Sequence, residues 1–208
     1  MSLDVLQSIL TSALVLGSLY ALMAAGLALI WTTLGIFNFA HGALMMIGAY
    51  MAWMVASDAG LGLGPVAGLA LGTAALIGLG ILLERLVVRP FLGSPQVVLI
   101  TVITTLAAMI FLQNAALLTW GPRMKQTSSL AEHGVSIVGF TFSASEVAIV
   151  IAAPLCLGLL WTFLTRTRLG TAIRAVSRNP ESAALVGINV SQMYSLAFAV
   201  SAGLAGLA

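Results

Sequence analysis

Charge is what this sequence most conspicuously lacks. Of 208 residues, eight are Lys or Arg and six are Asp or Glu, so 7% are charged, against about 25% in an ordinary globular domain. A soluble fold would have to bury nearly all of this surface, which is excluded for a chain of this size. The formal net charge of +2 is too small to call for a nucleic-acid partner, and the basic residues sit at the edges of apolar runs, where topology accounts for them. The single cysteine, Cys156, lies inside an apolar run and excludes an intramolecular disulfide. Paired carboxylates, a metal-ligand cluster, a P-loop and a nucleophile motif are all missing, so the sequence itself offers no energy-coupling chemistry.

What is present is apolar length. Hydrophobic residues make up 61% of the chain and the mean hydropathy is +1.12. The expected fold is all-α, a polytopic transmembrane helical bundle of about six spans, each near the roughly 20 residues that cross a bilayer core. The first span runs from about Val5 to Ile30. Its N-terminal flank carries Asp4 and no Lys or Arg, which argues against a cleaved signal peptide and favours an outward N-terminus.

After it comes TTLGIFNFAHG, Thr32 to Gly42, uncharged and rich in residues that do not favour helix. Two readings stay open: a cytoplasmic loop, or a broken helix at membrane depth, tolerated where it lines a cavity. In the second, Asn38 and His41 offer hydrogen bonds inside the bundle. His41 has no His, Cys or carboxylate near it in sequence, so a structural role is favoured over metal binding. A short second span, LMMIGAYMAWMV, then ends near Ser57, and a Gly-rich turn follows.

The third span runs from Pro65 to Leu83. Gly60, Gly64, Gly68 and Gly72 are spaced four apart, and at least Gly68 and Gly72 are expected to let a neighbouring helix approach closely. Beyond it lie Glu84, Arg85 and Arg89. Glu84 with Arg85 reads as an interfacial pair, because a proton relay needs ionisable groups deeper in the spans. Ser94 and Pro95 read as N-cap and N1 of the fourth span, which extends to about Trp120. Thr101 and Thr105 share a face of it, either as a polar stripe directed into the bundle or as hydroxyls bonded back to their own helix.

The polar excursion from Gly121 to Phe142 holds Arg123, Lys125, Glu132 and His133, and its SIVGFTF portion alternates like a short strand. Ser143 and Glu146 form a capping box that opens the fifth span, and Pro154 inside it is expected to kink the helix. A sixth span starts near Met193, with Ala199 and Gly203, and Ala202 and Gly206, as small residues four apart. It reaches no interface anchor before Ala208, so further C-terminal helices are expected beyond this sequence. Six basic residues (Arg85, Arg89, Arg166, Arg168, Arg174, Arg178) fall on one side by alternation and two (Arg123, Lys125) on the other, which makes the first side cytoplasmic.

The long polar interruption between the last two spans, residues 166–192, has a shape of its own. Asn179, Pro180 and Glu181 read as N-cap, N1 and an acidic first-turn residue, the helix continues through SAALV, and Gly187 stops it. Arg174 and Arg178 share a face of a preceding helical turn, away from Ile173 and Val176. The alternative is an ordinary ordered loop, but caps at both ends and flanking arginines are more definition than a connector requires.

Two stretches, RAVSRNPESAALVGINVSQMYSLAFAVSAGLAGLA and GLALIWTTLGIFNFAHGALMMIGAYMA, closely resemble the inner-membrane permeases of branched-chain amino acid ABC transporters, and the resemblance runs over nearly the whole chain. It implies one transmembrane permease domain over residues 1–208 in a bacterial plasma (inner) membrane, with no cofactor and no enzymatic activity. It also implies separate ATPase subunits docking on a cytoplasmic coupling helix (Arg174, Arg178, Pro180, Glu181, Ala184, Leu185, Gly187), a second homologous permease subunit, surrounding lipid, and a soluble substrate-binding protein on the outer face. The N-x-A-H-G pattern is a signature of the family, which assigns Asn38, His41 and Gly42 to the pathway or its gating; Thr101 and Thr105 join them as polar residues of the fourth span. Hydrophobic amino acids are the implied solute and urea or a short amide the alternative. From other classes, a secondary transporter is weakened by the lack of mid-span charge, and an intramembrane hydrolase using His41 lacks a partner residue.

Overall fold

The computed structural model describes residues 3–57, 60–123, 125, 135–137 and 140–208. Eight α-helices follow in order among them: α1 (Leu3–Leu34), α2 (His41–Ala56), α3 (Pro65–Leu83), α4 (Val97–Trp120), α5 (Ala144–Arg166), α6 (Arg168–Arg178), α7 (Pro180–Leu185) and α8 (Val190–Leu207). α1, α3, α4, α5 and α8 are long and apolar enough to cross a membrane, and α2 is a shorter apolar helix of 16 residues. The all-α, polytopic bundle expected from composition is what the chain builds, and it is a multi-pass membrane protein.

α3 and α8 form the centre. α3 packs against α2 on one side and α8 on the other, α1 packs on α8 and α5, and α4 rests on α2. Close approach comes from small residues, as in membrane helices that have no hydrophobic drive to associate. A Cβ on Gly68 would stand 2.6 Å from the Ala52 carbonyl oxygen and one on Gly72 3.1 Å from the Ala52 nitrogen, so both glycines face α2. A Cβ on Gly80 would meet the Ala202 Cβ at 2.5 Å, and one on Gly206 the Thr73 Cα at 3.0 Å, which joins α3 to α8. The core between these helices holds Ile30, Leu44, Leu76, Val88 and Phe198, all buried.

Several boundaries differ from the sequence reading. α1 continues to Leu34, so the break after it spans residues 35–40, and α2 starts at His41. Ser94 does not cap α4: its Oγ accepts from the Gln96 amide at 3.2 Å in a turn, and the helix starts at Val97. The strand-like SIVGFTF stretch contributes to two short strands, β1 (Val135–Ile137) and β2 (Phe140–Phe142), paired antiparallel with Val135 opposite Phe142. Glu132 and His133 lie outside the described residues. Ser143 opens α5 with the expected capping box, its amide donating to Glu146 Oε2 at 2.9 Å, and Pro154 lies within that helix.

Candidate translocation and coupling sites

The first site is the break between α1 and α2. Gly35 ends α1 with φ of 69°, a conformation open to glycine at little cost. The chain then folds back into the protein: Ile36, Asn38 and Ala40 are buried although none is in a helix. Asn38 organises the turn, its Oδ1 accepting from the Ala40 amide at 3.2 Å and its carbonyl from the His41 amide at 3.2 Å. The Phe39 amide has no partner within the segment and donates instead to Thr105 Oγ1 on α4 at 3.3 Å. Asn38 Nδ2 is buried with no hydrogen-bond partner among the described residues.

His41, the first residue of α2, is held between two other helices. Its Nδ1 lies 3.4 Å from Ser201 Oγ on α8, and its ring covers Gly26 of α1, where a Cβ would stand 3.0 Å from Cε1. Thr105 lies eight residues beyond Val97 and Ser201 eleven beyond Val190, about 12 and 16 Å along their helices at 1.5 Å per residue. The break is therefore irregular backbone well inside the bundle. An open groove of about 460 Å³ runs along it, lined by Tyr20, Met23, Ala24, Leu27, Phe37 and Phe39 together with Asn38, His41 and Gly42. Trp31 and Phe37 stack beside it with ring centroids 4.1 Å apart.

The second site is the surface made by α6 and α7. Thr167 caps α6, its Oγ1 accepting from the Gly170 amide at 3.0 Å, and Ile173 and Val176 turn inward while Arg174 and Arg178 stay exposed. Asn179 caps α7 by accepting from the Ser182 amide at 2.9 Å, and Pro180 is its first residue. At the other end the Gly187 amide reaches the Ala184 carbonyl and the Ile188 amide the Ala183 carbonyl at 3.1 Å, with Gly187 at φ of 86°. This paired closure satisfies carbonyls that a short helix would otherwise leave free. Ala183 anchors α7 onto Leu29, Ile173, Val176, Met193 and Ala197. Its other face is bare: Leu185 is 89% and Val186 76% exposed, with Glu181 and Ala184 also exposed.

Between the two sites lies an ion pair. The helix that begins as α3 widens at Glu84–Val88 into a π-helical turn and tightens into a 3₁₀ turn over Arg89–Phe91. Glu84 is fully buried, and Arg89 grips its carboxylate with both prongs, Nε to Oε1 and Nη2 to Oε2, each at 2.9 Å. Ser195 of α8 donates to Glu84 Oε2 at 2.9 Å and accepts from Arg89 Nη2, which also reaches the Ser191 carbonyl at 3.3 Å.

A family described as branched-chain amino acid transport system / permease component matches residues 9–208. The chain belongs to that permease family. It is 33% identical over 210 residues to the high-affinity branched-chain amino acid transport system permease protein BraD of Pseudomonas aeruginosa, covering 96% of this chain and 68% of that protein. To the LivH permease protein of Escherichia coli K12 it is 34% identical over 206 residues, 93% of this chain and 66% of that protein. A probable LivH of Methanocaldococcus jannaschii is 27% identical over 210 residues. The chain thus spans about two thirds of the length of these relatives. No solved structure matches it.

Within this permease, Asn38, His41 and Gly42 come together with Thr105 at the break. The stretch is a break inside the bundle and not a loop at its edge, because Phe39 and His41 are tied to α4 and α8. Thr101 stands one turn below Thr105, buried and bonded back to the Val97 carbonyl at 2.6 Å; Thr105 bonds back to Thr101 in the same way and in addition receives Phe39. Both readings of the threonines therefore hold in part. Glu84 corrects the sequence reading: its partner is Arg89, not Arg85. The wide turn stacks residue 89 above residue 84, as the Arg89 amide bonded to the Glu84 carbonyl records, while the neighbouring Arg85 is exposed. Sequence reasoning missed Ser195 and Ser201, which look like ordinary polar residues of an apolar span. Only the fold brings them to Glu84 and His41.

Proposed function

We infer that the chain is the membrane subunit of a bacterial plasma-membrane ABC importer and forms, with a second homologous permease subunit, the pathway for branched-chain amino acids. The observation that carries this reading is α7. It is a short helix capped at both ends, anchored on one face by Ala183 and bare on the other at Leu185 and Val186. Apolar residues on a rigid projecting helix, flanked by Arg174, Arg178 and Glu181, suit a groove on a soluble ATPase, with the cations and the carboxylate setting register. ATP hydrolysis then belongs to the partner, and this subunit responds mechanically: ATPase closure displaces α7, and the bundle alternates its access.

The family relationship supports the solute class, since BraD and LivH are named for branched-chain amino acid transport. The break between α1 and α2 is the candidate pathway element. Asn38 and His41 stand among its otherwise apolar lining residues, which suits a small solute with an apolar side chain. Irregular backbone at this depth is tolerated where it lines a cavity. Ion-coupled transport is the less supported mechanism, because among the described residues the one buried carboxylate, Glu84, is already held by Arg89.

Co-expression with the ATPase subunits tests the reading. Wild type is expected to retain the ATPase through purification and to support leucine uptake with a binding protein, whereas a Glu181→Lys, Leu185→Asp double variant loses both. Absence of any ATPase from the wild-type preparation would overturn it.

A further inference from the structure

We propose that Glu84, Arg89 and Ser195 form a clamp that passes the displacement of α7 into α3. This rests on the coupling role inferred for α7. The chain leaves α7 at Leu185, turns at Gly187 and enters α8 at Val190, so Ser191 and Ser195 occupy the first two turns of the helix that α7 pulls on directly. Both turns are fastened to the end of α3: Ser195 through Glu84 and Arg89, and the Ser191 carbonyl through Arg89. α3 in turn carries α2, whose first residue, His41, stands at the break. The clamp is thus the polar joint on a continuous packed route from α7 to the groove.

Three features assign it to coupling and not to simple cohesion. Glu84 is buried and the Arg89 side chain 35% exposed, and such a pair adds little net stability over apolar packing of the same volume, while α3 and α8 are already joined through Gly80 and Ala202. A two-pronged Arg–carboxylate contact contributes fixed orientation, which a load-transmitting joint needs and an apolar contact lacks. The backbone is also reshaped for it. A regular helix would not place residue 89 over residue 84, and the π-helical turn that does so ends at Val88, two residues before Pro90, which has no amide to continue the ladder.

The test compares solute taken up with ATP hydrolysed. The full-length permease with its ATPase and second permease subunits is placed in proteoliposomes with leucine and a loaded binding protein. Glu84→Gln and Arg89→Gln are each expected to lower the number of leucine molecules imported per ATP by about tenfold, a size open to residues on a coupling route. The double variant falls no further than either single one. Ser195→Ala, which leaves the ion pair in place, lowers the same ratio by about threefold, and Ser195→Thr, which keeps the hydroxyl, restores it. An unchanged ratio in Ser195→Ala and in whichever charge variant assembles overturns the clamp while leaving the function of α7 intact. So does a loss of uptake and hydrolysis in equal proportion to the amount of assembled complex, which marks a merely structural role. Failure of the wild-type permease to recruit the ATPase overturns the coupling role of α7 and the clamp with it.

Discussion

The amide of Phe39 donates to Thr105 Oγ1 at 3.3 Å, joining the break after α1 to the middle of α4. Thr105 is fully buried and spends its own proton on the Thr101 carbonyl, so its oxygen is free to accept. It is the partner that keeps an irregular backbone donor from standing unsatisfied inside the bundle.

Thr105→Val keeps the shape and removes the acceptor. Leaving a buried donor unpaired costs about 1–3 kcal/mol. Lower thermal stability of the detergent-purified subunit is expected, together with reduced uptake. Thr105→Ser should recover both, since it restores the oxygen. Equal stability of wild type and Thr105→Val would mean that water or lipid satisfies the Phe39 amide.

Gly80 and Gly78 lie two residues apart on α3 with opposite surroundings. A side chain at Gly80 runs into Ala202 and the Phe198 carbonyl, while a Cβ at Gly78 meets nothing within 4 Å. Gly80→Leu is therefore expected to separate α3 from α8 and cost at least about 1–3 kcal/mol by overpacking. Gly78→Leu should be neutral or mildly stabilising, by about 0.5–1 kcal/mol, because glycine is a poor helix residue. Thermal unfolding followed by a fluorescent thiol probe at Cys156 reads both.

The N-cap of α7 gives a local prediction. Asn179→Ala removes the acceptor for the Ser182 amide, a loss of about 0.5–2 kcal/mol at a helix start. In a six-residue helix this is enough to fray it. Faster amide exchange confined to residues 180–188 is expected, with weaker ATPase retention, and Asn179→Ser should restore protection.

How much of this was legible in the sequence follows the range of the interactions. The ends of α7 are written in adjacent residues: Asn179 and Pro180 start it, and Gly187 closes it at positive φ. The capping box at Ser143 and the facing glycines Gly68 and Gly72 are equally local patterns. Arg89 was passed over because helical periodicity does not anticipate a π-helical turn, and Arg85 is nearer in sequence. The Glu84–Ser195, His41–Ser201 and Phe39–Thr105 contacts join residues far apart in the chain, which one sequence without relatives does not reveal. Ser94 misled because its hydroxyl serves a turn two residues long that looks the same in sequence as an N-cap.

The junction of α1, α2 and α8 supplies the last prediction. His41 lies against Gly26, where a Cβ would come within 3.0 Å of Cε1 and 3.1 Å of the Ser201 carbonyl oxygen. The Ser201 backbone is fixed within α8, so a larger residue at position 26 can be accommodated only by moving the imidazole or parting α1 from α8. Either response disturbs the lining of the groove. Gly26→Val is expected to reduce leucine uptake by about tenfold or more, since a displacement near 1 Å at a pathway costs rate steeply. ATPase retention should fall far less than uptake, because of the residues that hold Ala183 only Leu29 shares α1 with the substitution. Gly17→Val on the same helix, where a Cβ meets nothing within 4 Å, controls for the loss of a glycine. Equal uptake by the Gly26→Val and Gly17→Val variants would show that His41 stands outside the pathway.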